Sequence, residues 1–277
     1  MKTIKTNVLL IHDLSLNYAL MKKYTILILS ILISGFNFDV WAQSTETVFH
    51  YSVMDAMRHG VYMGDLAVGK LREKGDFGLG TFNHLDGEMV ALDGIYYRVI
   101  PTGQVVQAED DRKVPFAAVA QFTPDMVFEM DGDLTLARMQ EEIVKRLPSF
   151  NKPFGIQIHG LMAEIQLGGA LKLAENDTTG LAKLMETRPV YHVSGISGTL
   201  VGFYNPTFMD NIDLTPFHLH FISDDRSVGG HVISGRSGTT KIKVSVDTKV
   251  GYELLFPESS PRFQKEWNTG RASQSAY

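Results

Sequence analysis

Three of the nine histidines fall within fourteen residues, in the run His218-Leu-His220-Phe-Ile-Ser-Asp-Asp-Arg-Ser-Val-Gly-Gly-His231. Side chains at i and i+2 of a β-strand project from one face. A strand over Phe217 to Ile222 would therefore aim His218 and His220 the same way and turn Leu219 into the core. Ser223 to Gly230 is polar and glycine-rich, which suits a turn. A chain that reverses there can lay His231 beside the first two on the neighbouring strand. Three neutral imidazoles with open coordination positions are the donor set of a catalytic zinc ion, whereas a structural zinc is closed by four protein ligands. The chain contains no cysteine. A metal must then sit on His, Asp and Glu, and disulfides, thiolate clusters and thiol nucleophiles are excluded together. On spacing alone, the same residues also fit a polar strand face that holds no ion. Zinc-bound imidazoles need acceptors behind them. Asp224 and Asp225 are near enough in sequence to serve, although Asp in such a run more often stabilises a tight turn through its own backbone. Arg226 is expected to pair with one of them.

The second chemical segment is Gly75-Asp-Phe-Gly-Leu-Gly-Thr81-Phe-Asn-His84-Leu-Asp-Gly-Glu88-Met-Val. Its glycines permit tight turns, but no strand precedes them and no long helix follows, so a dinucleotide loop fails its context test. Glu88 opens an apolar strand, where an ionised carboxylate is costly unless paired. It is a candidate general acid/base or metal neighbour, with an exposed strand-end glutamate as the alternative. His84 is expected in a surface turn. His50 and His59 (in a helical stretch) and His159 and His192 (in strands) carry no chemical signal. No Gly-x-Ser-x-Gly motif is present, which argues against a nucleophile-elbow hydrolase.

The elements that must hold these groups are mostly strands. Asp93-Gly94 joins two apolar runs, the signature of a type I′ hairpin. Further strands are expected at Val105-Val106, Phe116 to Phe122, Phe154 to Gln166, Ile196 to Tyr204, Ile242 to Val250 and Tyr252 to Phe256. Met54 to Lys74 reads as short helices broken by Gly60, Gly64 and Gly69. The best helix runs from Asp133, as its cap, through Leu136, Met139, Ile143 and Leu147, and Pro148 ends it. The class is α+β, with mixed or antiparallel β-sheets and few helices. A chain of 277 residues allows one large domain or two small ones, with a candidate sub-boundary near Asn151. A hydrophobic share of 44% excludes a disordered chain. A net charge of −5 argues against nucleic-acid partners and against electrostatic docking on an anionic membrane.

Tyr24 to Phe38 is almost wholly apolar, follows Lys22-Lys23 and precedes Val40-Trp41-Ala42. That is the order of a secretory signal peptide, and the run is shorter than the roughly 20 residues of a membrane span. The expected organisation is a signal peptide over 1–42 cleaved near Ala42, with Met21 as a candidate true start. A domain over 43–257 and a polar C-terminal tail over 258–277 follow. The mature protein is expected to be exported, periplasmic or extracellular, with no membrane attachment after cleavage.

These segments resemble the α-acetolactate decarboxylase family. Residues 75–89 are similar to its N-terminal signature, residues 114–122 and 197–203 to its internal strands, and residues 218–232 to its metal segment. The resemblance covers most of residues 50–257, in the family's order. It implies a sheet-rich fold, a homodimer, and decarboxylation of 2-acetolactate to acetoin through a metal-stabilised enediolate. It implies His218, His220 and His231 as Zn²⁺ ligands, Glu88 as the catalytic proton-transfer group and Thr81 as a substrate-binding residue. Two departures stand out. The family's arginine on the strand after Gly160 falls at about Gly168 here. Its second glutamate, from the C-terminal tail, has no clear counterpart, Glu258 and Glu266 being weak substitutes. Glu164 and Gln166 share a period-2 face with position 168 and are expected to line a remodelled pocket. The alternatives are a related His₃-zinc enzyme for another small 2-hydroxy or oxo acid, and a non-catalytic small-acid binding protein.

Overall fold

The structure, a computed structural model, describes residues 46–265. The signal-peptide reading, its cleavage near Ala42 and Glu266 lie outside the described residues. In chain order the strands are β1 (Thr47–Tyr51), β2 (Leu66–Ala67), β3 (Phe77–Thr81), β4 (Glu88–Leu92), β5 (Ile95–Val99), β6 (Val105–Gln107), β7 (Lys113–Val114) and β8 (Phe116–Ala120). They continue with β9 (Met126–Met130), β10 (Phe154–Gly168), β11 (Val190–Tyr204), β12 (Phe217–Ser223), β13 (Gly229–Ser237), β14 (Ile242–Thr248) and β15 (Gly251–Leu255). The α-helices are α1 (Met54–Arg58), α2 (Val68–Arg72), α3 (Leu136–Val144) and α4 (Leu181–Met185). The class is α+β, as the patterning implies.

One sheet has the order β15-β1-β8-β3-β4-β5-β6 and is mixed, because β1 runs parallel to β15 and antiparallel to β8. The β4–β5 hairpin turns on Asp93 (φ 53°) and Gly94 (φ 76°), the two positive values that a type I′ turn requires. The second sheet has the order β11-β12-β13-β10-β14-β9, with an added β10–β11 pairing. Its long strand β10 pairs with β11 along one edge and with both β14 and β13 along the other. Since β11 also pairs with β12, and β12 with β13, these four strands close on themselves. The two sheets meet through one apolar cluster that includes Phe77, Leu79, Val90 and Phe116 from the first and Val201, Phe203 and Ile222 from the second. Leu219 turns into a different cluster, with Phe154, Ile165 and Phe221. Strand β12 is thus buried on both faces and reads as an apolar run interrupted only by its histidines.

Helix α3 corrects the sequence reading at both ends. It spans Leu136–Val144, and its cap is Thr135, whose hydroxyl accepts from the Arg138 amide at 3.3 Å. Asp133 instead takes a positive φ of 64° and pairs with Arg236. The expected apolar stripe is real: Leu136, Met139 and Ile143 are buried. Strand β9 was not expected, because Met126 to Met130 carries a glutamate and pairs only at the sheet edge with β14.

Candidate metal centre

The register of β12 and β13 builds the centre. β12 and β13 pair so that His220 stands opposite His231, and His218 lies two residues back on the same face. The three ring centroids are 5.3, 5.4 and 5.2 Å apart. One ligand atom from each ring lies within 4.8 Å of the other two. The predicted convergence is therefore present.

Hydrogen bonds fix which nitrogens face inward. His218 Nδ1 lies 2.7 Å from Asp213 Oδ1, and His220 Nδ1 lies 2.8 Å from the Met89 carbonyl. A carboxylate and a carbonyl can only accept, so each ring carries a proton on Nδ1 and leaves Nε2 as the nitrogen that can hold an ion. Burial, followed by the charge of His218, pushes His220 down to about 3. Burial, then the neighbouring His220 and His218, holds His231 well below its ordinary value. Imidazoles that stay neutral are what a metal ion requires. The donor set fits zinc: three imidazole nitrogens, no thiolate, and a carboxylate behind one of them.

The carboxylate behind His218 is Asp213, not Asp224 or Asp225. Asp225 closes the β12–β13 turn by accepting from Ser223 Oγ, Ser227 N and Ser227 Oγ, and Asp224 faces His159 Nε2 at 3.2 Å. Arg226 does not pair with either. It donates to the Ser223 carbonyl and to Tyr97 Oη and lies over the Tyr97 ring. Asp213 is buried and accepts from the Leu214 amide at 2.7 Å and Asn205 Nδ2 at 3.2 Å as well as from His218. Its far oxygen is 3.6 Å from His50 Nε2. Burial alone would raise this carboxyl, but His218 and His50 outweigh it and hold it well below the usual carboxylate range. His50, read as bland from its position, is fully buried, stacked on Tyr252 and edge-on to Phe116. Neither residue was legible by spacing: Asp213 lies in a connection and His50 on β1, far away in sequence.

Glu88 opens β4 directly opposite Thr81 of β3. Its Oε2 is 3.8 Å from His220 Nε2, and its side chain is only 15% exposed. Burial pushes the carboxyl up to about 8, against the opposing charge of Arg188. Thr81 is also buried, and its hydroxyl donates to the Gly87 carbonyl at 2.8 Å. A cavity of about 230 Å³ joins Glu88, Thr81 and the three histidines to an apolar wall that includes Met54, Met57, Met185 and Leu214. Its half-buried members Leu181, Met185, Arg188 and Leu214 mark the side toward solvent.

Other sequence expectations resolve differently. Glu164 and Gln166 line a separate groove with His192 and Arg236, and Gln166 accepts from Ser234 Oγ. Along a strand of fifteen residues the twist rotates such positions away from the site, so face-sharing by period 2 holds only locally. Glu258 donates its amide to Asp65 and does not line the cavity. Arg188, which no motif marked, does line it.

A family profile described as alpha-acetolactate decarboxylase matches residues 48–267. The alpha-acetolactate decarboxylase of Bacillus licheniformis is 31% identical over 226 residues, covering 82% of this chain and 88% of the relative. That of Bacillus subtilis is 32% identical over 221 residues, covering 80% and 86%. The crystal structure of the alpha-acetolactate decarboxylase from Bacillus subtilis strain 168 is similar with a TM-score of 0.77 at 31% identity, over 81% of this chain and 94% of that one. A Staphylococcus aureus protein of unknown function, similar to alpha-acetolactate decarboxylase, shares the fold with a TM-score of 0.72 at 23% identity, over 76% and 89% of the two chains.

Proposed function

Because the chain belongs to the alpha-acetolactate decarboxylase family, and is therefore a carboxy-lyase, we propose that it converts 2-acetolactate to acetoin and CO₂ with zinc on His218, His220 and His231. The observation that carries this reading is a mostly buried carboxyl group 3.8 Å from a ring nitrogen of a convergent three-histidine cluster, in one cavity with it. When bound, the ion supplies Lewis-acid stabilisation of the negative charge that develops on the substrate, worth several kcal/mol.

The chain's own groups account for the rest. Loss of CO₂ breaks the bond between the carboxylate and carbon 2, and its electron pair moves toward the neighbouring ketone to leave an enediolate. Carbon 2 then needs a proton. Glu88, whose carboxyl burial pushes toward the protonated form, donates it to one face and so sets the configuration of acetoin. The resulting carboxylate regains a proton from solvent before the next turnover. Thr81 commits its hydroxyl proton to the Gly87 carbonyl, so its oxygen can accept from the substrate's hydroxyl. The apolar wall keeps water from the reacting carbon and strengthens each charge interaction. Asp213 and Met89 hold the ligand rings in one orientation. The same reading extends to an exported homodimer whose leader ends near Ala42.

Incubation of the zinc-loaded protein with racemic acetolactate tests it directly: acetoin should accumulate. Intact zinc binding without acetoin would instead favour another small oxo acid as substrate, or a binding role. His220→Ala should lose the bound zinc, and undiminished metal in that variant would remove His220 from the ligand set.

A further inference from the structure

Arg188 lies outside every segment whose spacing suggested chemistry, yet it lines the cavity with Glu88 and the three histidines. It enters from the connection between α4 and β11, and that connection is fixed. The Gly169 amide donates to the Pro189 carbonyl at 2.9 Å. Gly168 pairs with Val190 on one side and with His231 on the other. The guanidinium rests against the bare Cα of Gly168. A Cβ there would sit 3.0 Å from its Cζ and Nη1 and 3.2 Å from its Nε, closer than an ordinary heavy-atom contact of about 3.5–4.0 Å. The glycine therefore makes room for the arginine.

Once in place, this cation has little to hold it. Its hydrogen bond runs from Nη1 to the Met185 sulfur at 3.5 Å, a weak acceptor, and it forms no carboxylate ion pair among the described residues. The wall beside it is apolar: Leu181, Met185 and Leu214. A planar fork of five N–H donors facing such a wall is an incomplete interaction, and a carboxylate is the group that matches it at two points.

We propose that Arg188 is the carboxylate clamp of this site, gripping the carboxylate of a small 2-hydroxy-3-oxo acid while the hydroxyl and ketone oxygens face the histidine cluster. The inference rests on the preceding functional reading for the identity of the acid. It adds a consequence: the clamped group is the one the reaction removes. Substrate is held by Arg188, whereas the neutral ketol product offers it nothing, so the same residue favours entry of the acid and departure of the product.

Zinc-loaded wild type, Arg188→Gln and Arg188→Lys test this with three ligands. Acetolactate gives KM and kcat. Calorimetry gives the Kd of 2-hydroxy-2-methylpropanoate, which has the carboxylate and hydroxyl but no ketone to accept electrons, and the Kd of acetoin, which has no carboxylate. Arg188→Gln should raise KM and the hydroxy-acid Kd by about 10–150-fold, the loss expected for a charge-assisted hydrogen bond. Acetoin affinity and zinc content should stay unchanged. Arg188→Lys should fall between the two, keeping charge without the fork. Gly168→Ala should reproduce part of the loss, because its Cβ displaces the guanidinium. Equal hydroxy-acid affinity in wild type and Arg188→Gln overturns the clamp, as does an equal loss for acetoin. An Arg188-dependent affinity for the hydroxy acid in a protein that never decarboxylates acetolactate would uphold the clamp and defeat only the substrate assignment.

Discussion

Two carboxyl groups flank the histidine cluster, and their surroundings drive them in opposite directions. Asp213 is as buried as any core residue, yet it stays ionised, because the charge and hydrogen bond of His218, and His50 at its far oxygen, outweigh burial. The Glu88 carboxyl makes no hydrogen bond among the described residues and faces one imidazole nitrogen, the charge of Arg188 and an apolar wall. Burial acts on both in the same sense. The charge and hydrogen bonds of the partners decide the outcome, and in the proposed mechanism the charged acid orients a ligand while the neutral one gives up a proton. Titratable groups whose pKa values are pushed apart across a single site mark a division of labour between binding and chemistry.

The sharpest way to break this comparison is to remove the proton from one side only. Glu88→Gln should keep its zinc and lose about 10²–10⁴-fold in kcat, the usual worth of a general acid, measured as acetoin release at saturating acetolactate. Near-normal turnover would take Glu88 out of the reaction. Asp213→Asn should do the reverse, lowering zinc affinity by about 10–100-fold in a chelator competition. If zinc affinity holds while turnover falls, Asp213 is not the orienting group.

The same contrast has a stability signature in metal-stripped protein. Folded Glu88 titrates near 8 rather than its ordinary 4.5. A carboxyl raised in the folded state contributes stability in full below the unfolded value, and that contribution is lost as pH rises through the folded one. Wild type should therefore lose stability between pH 4.5 and 8. Glu88→Gln should not, so the gap between their melting temperatures should widen in favour of the variant across that window. Parallel melting curves would mean that Glu88 is solvated in the folded protein.

How much of this was legible in the sequence follows from how local each signal is. The two-residue spacing of His218 and His220, and the glycine-rich reversal before His231, encode the ligand face within one hairpin, so strand periodicity found it. Glu88 was found because a charge at the head of an apolar strand is conspicuous wherever that strand packs. Asp213, His50 and Arg188 were not, because each reaches the site from a different element and means nothing until the sheets close. The α3 cap was misplaced by two residues because Asp133 and Thr135 are both good capping types, and only the backbone decides between them. Gly168 was read only as a missing side chain and not as room for another one.

A third carboxyl sharpens the comparison at the smallest scale. Asp65 lies away from the histidines but is built like Asp213. It accepts from the Tyr51 hydroxyl on one oxygen and, on the other, from the Glu258 amide at 3.1 Å, the Ser259 amide at 2.7 Å and the Ser259 hydroxyl at 2.8 Å. Partial burial would raise it, but the hydrogen bonds from Tyr51 and Ser259 bring it down to about 2. A depressed carboxyl contributes stability above its unfolded value, ordinarily 3.8, and the contribution disappears as pH falls through 2. Asp65→Asn should lower the melting temperature at pH 7 by about 2–4 °C, the equivalent of roughly one net hydrogen bond in a domain of this size. The gap should close as the pH approaches 2, and zinc affinity should not change. A gap that persists in acid would mean that shape at this tie matters more than charge, and the rule that its partners set a carboxyl's state here would then apply only beside the histidines.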